Sequence, residues 1–219
     1  MTKKNTTRGY HHGNLKRTLL DVAQALVAER GVDGVTMSEV AKRSGVSSGA
    51  PYRHFKDRVE LLRGLAVRGQ ELLTKRMQAV VSAAPNPLEG FRRSGVEYIR
   101  FAVEQPVLFT VMSRGEFATR NSEAANPSDA RFLDALEALL NDGDRTAPLD
   151  PTSPVLHEFA ARCMVHGLAH FIVGGTLAFV GASGDQAERI ADAMTRALGQ
   201  VGNAVGERLG DEARSRDTA

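Results

Sequence analysis

The run Thr36-Met-Ser-Glu-Val-Ala-Lys-Arg-Ser-Gly45-Val-Ser47 leaves this chain few ways to fold. Thr36 followed three residues later by Glu39 is a capping box, which satisfies helix-start N–H groups with side chains and so opens a helix there. Gly45 must end that helix after about two turns, because a residue without Cβ takes the left-handed turn at little cost. Ser47 then caps a second short helix that runs to about His54. Val40 and Ala41 fall on the inner face, Val46 plugs the core, and Ala41 has to be small where the two helices cross. Such a pair is a helix-turn-helix over about residues 36–56, whose second helix lies in a DNA major groove. The same residues would also serve an αα-corner in an ordinary helical domain. Charge favours the first reading: residues 1–70 carry 13 Lys/Arg against 6 Asp/Glu, and residues 71–219 carry 15 against 20. A basic head on an acidic body is the electrostatic footprint of duplex binding.

Helical periodicity runs through the rest of the chain, and β-branched alternation is nearly absent. Leu15, Leu19, Val22, Ala23 and Leu26 mark one face of a first helix that ends near Arg30-Gly31. Asp57-Arg-Val-Glu60 has capping-box spacing and opens a long helix past Met77, with Leu62, Leu65, Leu72 and Val80 inside. Asn86 with Pro87 behind it starts another helix to about Gln105, and Pro106 begins a shorter one. Phe132, Leu133, Leu136, Leu139 and Leu140 define the next. Pro154 opens a helix to about Val180, and a last one spans Asp185 to about Leu209. About nine helices and no strand predict an all-α protein with a three-helix N-terminal head on a larger helical body. The expected divisions are a flexible basic arm at 1–9, the head at 10–68, a ligand-binding and dimerisation body at 69–210, and a disordered tail at 211–219.

Composition removes several classes. Aromatic residues are 5% of the chain and Trp is absent, which disfavours stacking platforms for single strands. A single cysteine, Cys163, excludes a disulfide framework and a Cys-rich zinc finger. The apolar stretch Met164 to Val180 is 17 residues long and contains two histidines, too short and too polar for a membrane span. The N-terminal MTKKNTTRGYHHGNLKR has no apolar signal core, so a cytoplasmic protein without a membrane partner is expected. Gly45-Val-Ser-Ser-Gly49 matches the nucleophile-elbow pattern, but amphipathic helix precedes it where that motif needs a strand. No catalytic residue, metal or cofactor is therefore expected. One alternative stays open: Cys163, His166 and His170 share a helix face and could hold zinc or copper in an all-α metal-dependent enzyme.

Ala187, Ile190, Met194, Ala197, Val201 and Ala204 follow 3-4-3-4-3 spacing, a stripe that faces a partner helix. The preceding helix is apolar almost all round, so together they predict a homodimer seam through Ile190, Met194, Ala197, Val201 and Ala204; packing on the chain's own core is the simpler use. Met77, Phe101, Phe109, Met112, Phe132, Phe159 and Met164 stand at inward positions of the body. With Tyr98, Cys163, His166 and His170 as polar orienting groups, they would line a pocket for a mostly apolar small molecule. If they only fill a core, the body is a dimerisation module without a pocket.

Residues 10–68 resemble the DNA-binding domain of the TetR family of bacterial transcriptional regulators. The resemblance rests on Gly31-Val-Asp-Gly34-Val-Thr36, Val40-Ala41, Gly45-Val46-Ser47, Tyr52-Arg-His54-Phe55, Asp57-Arg58 and Leu61-Leu62. Tyr10-His-His-Gly-Asn-Leu-Lys16 and His166-Gly-Leu-Ala169 are similar to a subgroup with a Trp-His-Gly ligand-domain motif, although Val165 stands at the Trp position. The resemblance implies that Thr36, Tyr52 and His54 contact phosphates or bases, and that Arg58 takes the place of a phosphate-binding Lys. Ser38 stands where some members have a base-reading Arg, so readout would fall to Ser48, Gly49, Ala50 and Arg53, with Ser47 and Lys56 on the same surface. It further implies a homodimer on a palindromic double-stranded DNA operator, a repressor released by a small-molecule effector.

Overall fold

The computed structural model describes residues 12–117, 127–141, 149–150, 152–177, and 186–197 apart from 187, 191 and 195. Among them there is no strand, so the all-α expectation holds. Seven α-helices are complete: α1 (His12–Arg30), α2 (Met37–Arg43), α3 (Arg58–Ser82), α4 (Pro87–Glu104), α5 (Pro106–Met112), α6 (Pro127–Asn141) and α7 (Pro154–Val173). Every described position from 186 to 197 is also helical, and this segment is α8. The arm at 1–9, the tail at 211–219 and the expected seam residues Val201 and Ala204 lie outside the described residues.

Among the described residues eight α-helices stand where nine were expected, because residues 47–54 are not an α-helix. They form a turn followed by a 3₁₀ helix, Pro51–Arg53. Pro51 has no N–H, so the bond an α-helix would make from residue 51 back to residue 47 does not exist. The turn closes instead through Ala50 N–H to the Ser47 carbonyl at 3.0 Å and His54 N–H to the Pro51 carbonyl at 3.0 Å. A second difference lies in α7, which ends at Val173 rather than near Val180. Gly174 donates to the His170 carbonyl at 2.8 Å, and Gly175 follows with φ of 74°, so the chain turns out of the helix there.

The described residues fall into two compact units: 12–70 with 107–117, and 71–106 with the residues from 127 onward. Thus α5, which the sequence assigns to the body, clusters with the head, and α3 contributes its first half to one unit and its second half to the other. In the first unit α1 packs on α2, and the buried core is supplied by Leu19, Ala23 and Leu26 of α1, Val40 and Ala41 of α2, and Leu61, Leu62 and Leu65 of α3. Burying one such leucine is worth roughly 1.5–3 kcal/mol, so this small set dominates the head's stability. In the second unit α7 packs on α4 and α6, around Ile99, Phe101, Ala102, Phe132, Ala161, Val165, Leu168 and Ala169.

Candidate nucleic-acid interface

The surface expected to face DNA is built from caps. Thr36 Oγ1 accepts from Glu39 N–H at 3.3 Å and contacts the Ser38 hydroxyl at 3.3 Å, so both side chains are held at the exposed start of α2. Val46 N–H reaches the Ala41 carbonyl at 3.1 Å, and Gly45 takes φ of 68°. Asp57 caps α3 by accepting from Glu60 N–H at 2.8 Å, while the Glu60 carboxylate takes the Lys56 N–H. The loop between these caps is anchored from inside by Pro51 and Phe55, which are buried. Everything else on it turns outward: Ser47, Ser48, Gly49, Tyr52, Arg53 and Lys56 are exposed, and Ala50 and His54 half-exposed. Tyr52 is 55% exposed, an uncommon position for an aromatic side chain without a partner surface.

Ion pairing separates the head's cations into two groups. Arg43 is held by Glu29 at 2.7 Å and Glu39 at 3.1 Å, and Arg68 by Asp21 at 2.7 Å. Arg53 and Lys56 make no ion pair among the described residues, and neither does Lys42, exposed in the last turn of α2. Lys42 was missed in the sequence, where nothing distinguished it from its neighbour Arg43. Arg58 falls in the committed group. Its Nε donates to the Val35 carbonyl at 2.9 Å and its Nη2 to the Val32 carbonyl at 2.8 Å. The guanidinium thus ties α3 to the turn before α2.

The expected pocket residues are divided between the two units. Phe109 and Met112 belong to the first unit, and the other nine to the second. Phe101 and Phe109 are fully buried, whereas Phe159 is 39% exposed and Cys163 is exposed. Met77 and Met164 are half-buried. Phe132 and Phe159 stack at 6.3 Å, with Arg162 over the Phe132 ring at 4.3 Å. Tyr98, His166 and His170 do meet. The Tyr98 hydroxyl lies 2.7 Å from His166 Nδ1, and His166 Nε2 lies 3.2 Å from His170 Nε2. A neutral His166 satisfies both contacts when Tyr98 donates to Nδ1 and Nε2–H donates to His170. Of the expected seam residues, Ile190 and Met194 are half-buried and Ala197 is exposed.

Partial desolvation, with the neighbouring His170 charge adding to it, holds the His166 imidazole below its ordinary 6.5, although the residue is exposed. The unfolded chain therefore takes up this proton before the folded one, and stability falls as pH drops below about 6.5 towards the folded value. Denaturation midpoints at about pH 7.5 and 5.5 check this: His166→Gln should lose less stability over the interval than the parent. Equal losses in both proteins would show that this imidazole is unshifted. Among the described residues no three His, Cys, Asp or Glu side chains stand where they could share a metal ion, so the Cys163/His166/His170 set of the enzyme alternative is not assembled. No helix among them is long and apolar enough to cross a membrane.

A capped helix-turn-helix with an exposed polar and cationic loop, together with a second unit whose described elements are all helices, defines a helix-turn-helix protein of the two-part kind. Residues 19–65 match the family described as bacterial regulatory proteins, tetR family, and residues 91–198 match the tetracyclin repressor-like C-terminal domain. The chain belongs to the TetR family. It is 31% identical over 106 residues to the HTH-type transcriptional repressor BepR of Brucella suis, covering 45% of this chain and 49% of that one. It is 27% identical over 143 residues to the HTH-type transcriptional repressor KstR2 of Mycolicibacterium smegmatis, covering 60% and 68%. The chain thus spans about half the length of the first of these relatives. A Rhodococcus sp. RHA1 protein of unknown function superposes with a TM-score of 0.58 at 27% identity, over 86% of this chain and 96% of that one. A TetR-family regulator from Streptomyces coelicolor superposes with a TM-score of 0.60 at 22% identity, over 94% and 89%, and shares the fold.

Proposed function

We propose that the protein is a homodimeric transcriptional repressor that binds a palindromic operator through two helix-turn-helix heads and is released by a small-molecule effector held in its second unit. The observation that carries this reading is the division among the head's cations. Arg53 and Lys56 make no ion pair among the described residues and stand on a loop with exposed Ser47, Ser48, Gly49 and Tyr52, while Arg43 and Arg68 serve the chain's own carboxylates. Phosphate contacts need free cations, and base edges are read by short side chains and backbone that can approach closely. Relatives named as repressors support the outcome of binding. For the dimer, support comes from α7, whose outer face carries Phe159, Ala160, Cys163 and Phe171, exposed in the single chain. A second copy covering this face together with α8 and the stripe that continues through Val201 and Ala204 would place half-sites about 34–36 Å apart. The effector is a mostly apolar small molecule, and α3, one helix shared by both units, is the element through which its binding shifts the heads between two states.

The test is a salt titration with duplex DNA. Log affinity should fall linearly with log salt, by about 0.9 units per neutralised phosphate. Arg53→Ala should reduce that slope by about one if its guanidinium meets a phosphate, or leave the slope while relaxing sequence preference if it meets a base. Affinity indifferent to salt, or to Arg53→Ala in both respects, refutes this interface.

A further inference from the structure

In the second unit, α4, α8 and the end of α3 border a wide-open groove of about 680 Å³, in the size range of small-molecule sites. None of the pocket residues expected from the sequence lines it. Four arginines do: Arg92, Arg93 and Arg100 from α4 and Arg189 from α8, with Glu188 and Asp192 of α8 as the acids among them. Val80 and Val96 give it an apolar wall. Arg100 grips Glu188 as a fork, Nε to Oε1 at 2.8 Å and Nη2 to Oε2 at 2.7 Å. Its third donor, Nη1, goes to Glu97 at 2.8 Å. Arg92 is bound to Glu89 through Nε at 2.8 Å and also meets Asp192. Arg93 shares Glu89 at 2.7 Å. Arg189 is exposed and pairs with no described residue.

These contacts have two consequences. First, α8 is held to α4 across the cavity by the charge-assisted bonds from Arg100 to Glu188, with Arg92 and Asp192 forming an ion pair beside them. Second, the Arg100 fork already displays the ligand it fits, because the Glu188 side chain is a carboxylate presented bidentately, the geometry that guanidinium favours. Glu89 is tied to arginines of α4 itself, and Glu97, buried, is shared by Arg100 of α4 and Arg76 of α3, whereas Glu188 is partly exposed on another helix and is the removable partner. Burial has not made the Glu188 pair permanent, since both side chains keep about a third of their surface exposed.

We infer that this cavity binds a small molecule with a carboxylate head and an apolar body, the head displacing Glu188 from Arg100 and gaining a second cation in Arg189. The body lies against Val80 and Val96. Binding exchanges one carboxylate for another on the same fork, so the ligand loosens α8 from α4 as it enters. This inference rests on the effector reading above and gives that effector its chemical class. It also gives the exchange a direction: Glu188 is an internal competitor, and removing its charge must strengthen binding of the ligand that replaces it.

The experiment is calorimetric titration of the free protein, without DNA, using hexanoate, its neutral isostere hexanamide, and inorganic phosphate at matched ionic strength. Hexanoate should bind saturably, hexanamide should not, and phosphate should bind more weakly than hexanoate because it gains nothing from the valines. Glu188→Gln should tighten hexanoate about tenfold, and Arg189→Gln, a change at an exposed position that pairs with no described residue, should weaken it severalfold. Backbone hydrogen exchange in 186–197 should quicken when hexanoate binds. The inference is overturned if hexanamide binds as well as hexanoate, if phosphate binds and hexanoate does not, if Glu188→Gln leaves hexanoate binding unchanged or weaker, or if Glu188→Gln fails to bind it at all. DNA binding is measured separately, so a protein that binds duplex yet ignores hexanoate retains its repressor reading and loses only this effector site.

Discussion

Arg58→Ala should cost the head about 1–3 kcal/mol, the penalty for leaving the buried Val35 carbonyl without its donor and the Val32 carbonyl with only the Val35 N–H at 3.4 Å. Val35 is fully buried and Val32 is 5% exposed, so water cannot easily replace the guanidinium at either oxygen. The loss is expected in the urea midpoint, with an unchanged dependence on denaturant concentration. Arg58→Lys should recover part of it, since an ammonium can donate to one carbonyl but lacks the fork that spans both. The resemblance to the family implied a phosphate contact here, and the two roles separate cleanly. A guanidinium committed to Val32 and Val35 leaves the salt slope of DNA binding untouched when measured well below the melting temperature. A phosphate ligand would lower that slope by about one while leaving stability unchanged. The second pattern would show that Arg58 leaves its carbonyls for DNA.

Phe101→Ala should destabilise the second unit by about 3–5 kcal/mol, the range for removing a fully buried aromatic ring. The side chain has no exposed surface, and the Arg76 guanidinium lies 5.8 Å from its ring centre, adding a cation–π contact that alanine cannot replace. Phe101→Leu should cost much less because it keeps most of the volume. A loss below about 1 kcal/mol for the alanine variant would mean that the ring borders a void, as the pocket expected from the sequence requires. The full loss would mean that Phe101 is core and that the effector binds elsewhere.

Three helix starts were legible from residues within one turn of each other. Thr36, Asp57 and Asn86 each accept from the N–H three residues on, at 3.3, 2.8 and 2.9 Å. Such caps depend on backbone spacing alone, so sequence distance and spatial distance coincide. The left-handed Gly45 and the buried Val40 and Ala41 were legible for the same reason, because turn chemistry and periodicity act locally. The 3₁₀ form of Pro51–Arg53 was within reach too, through the missing N–H of Pro51, but the stronger helix-turn-helix pattern masked it.

Sequence by itself thus determined the class of fold, the ends of most helices and the cationic head, since each follows from bonds or charges among near neighbours. Only the tertiary structure decided which partner each outward-reaching side chain takes. Arg58 finds carbonyls 23 and 26 positions back, Tyr98 meets His166 across 68 positions, and Arg100 takes Glu188 across 88. Periodicity states which face of a helix turns inward, but not which helix it meets. The apolar residues singled out as a pocket were therefore divided between two units, while the cavity opened among arginines that sequence reading had not singled out. A long cation can serve solvent, a carboxylate or a carbonyl at similar free energy, and packing chooses among them.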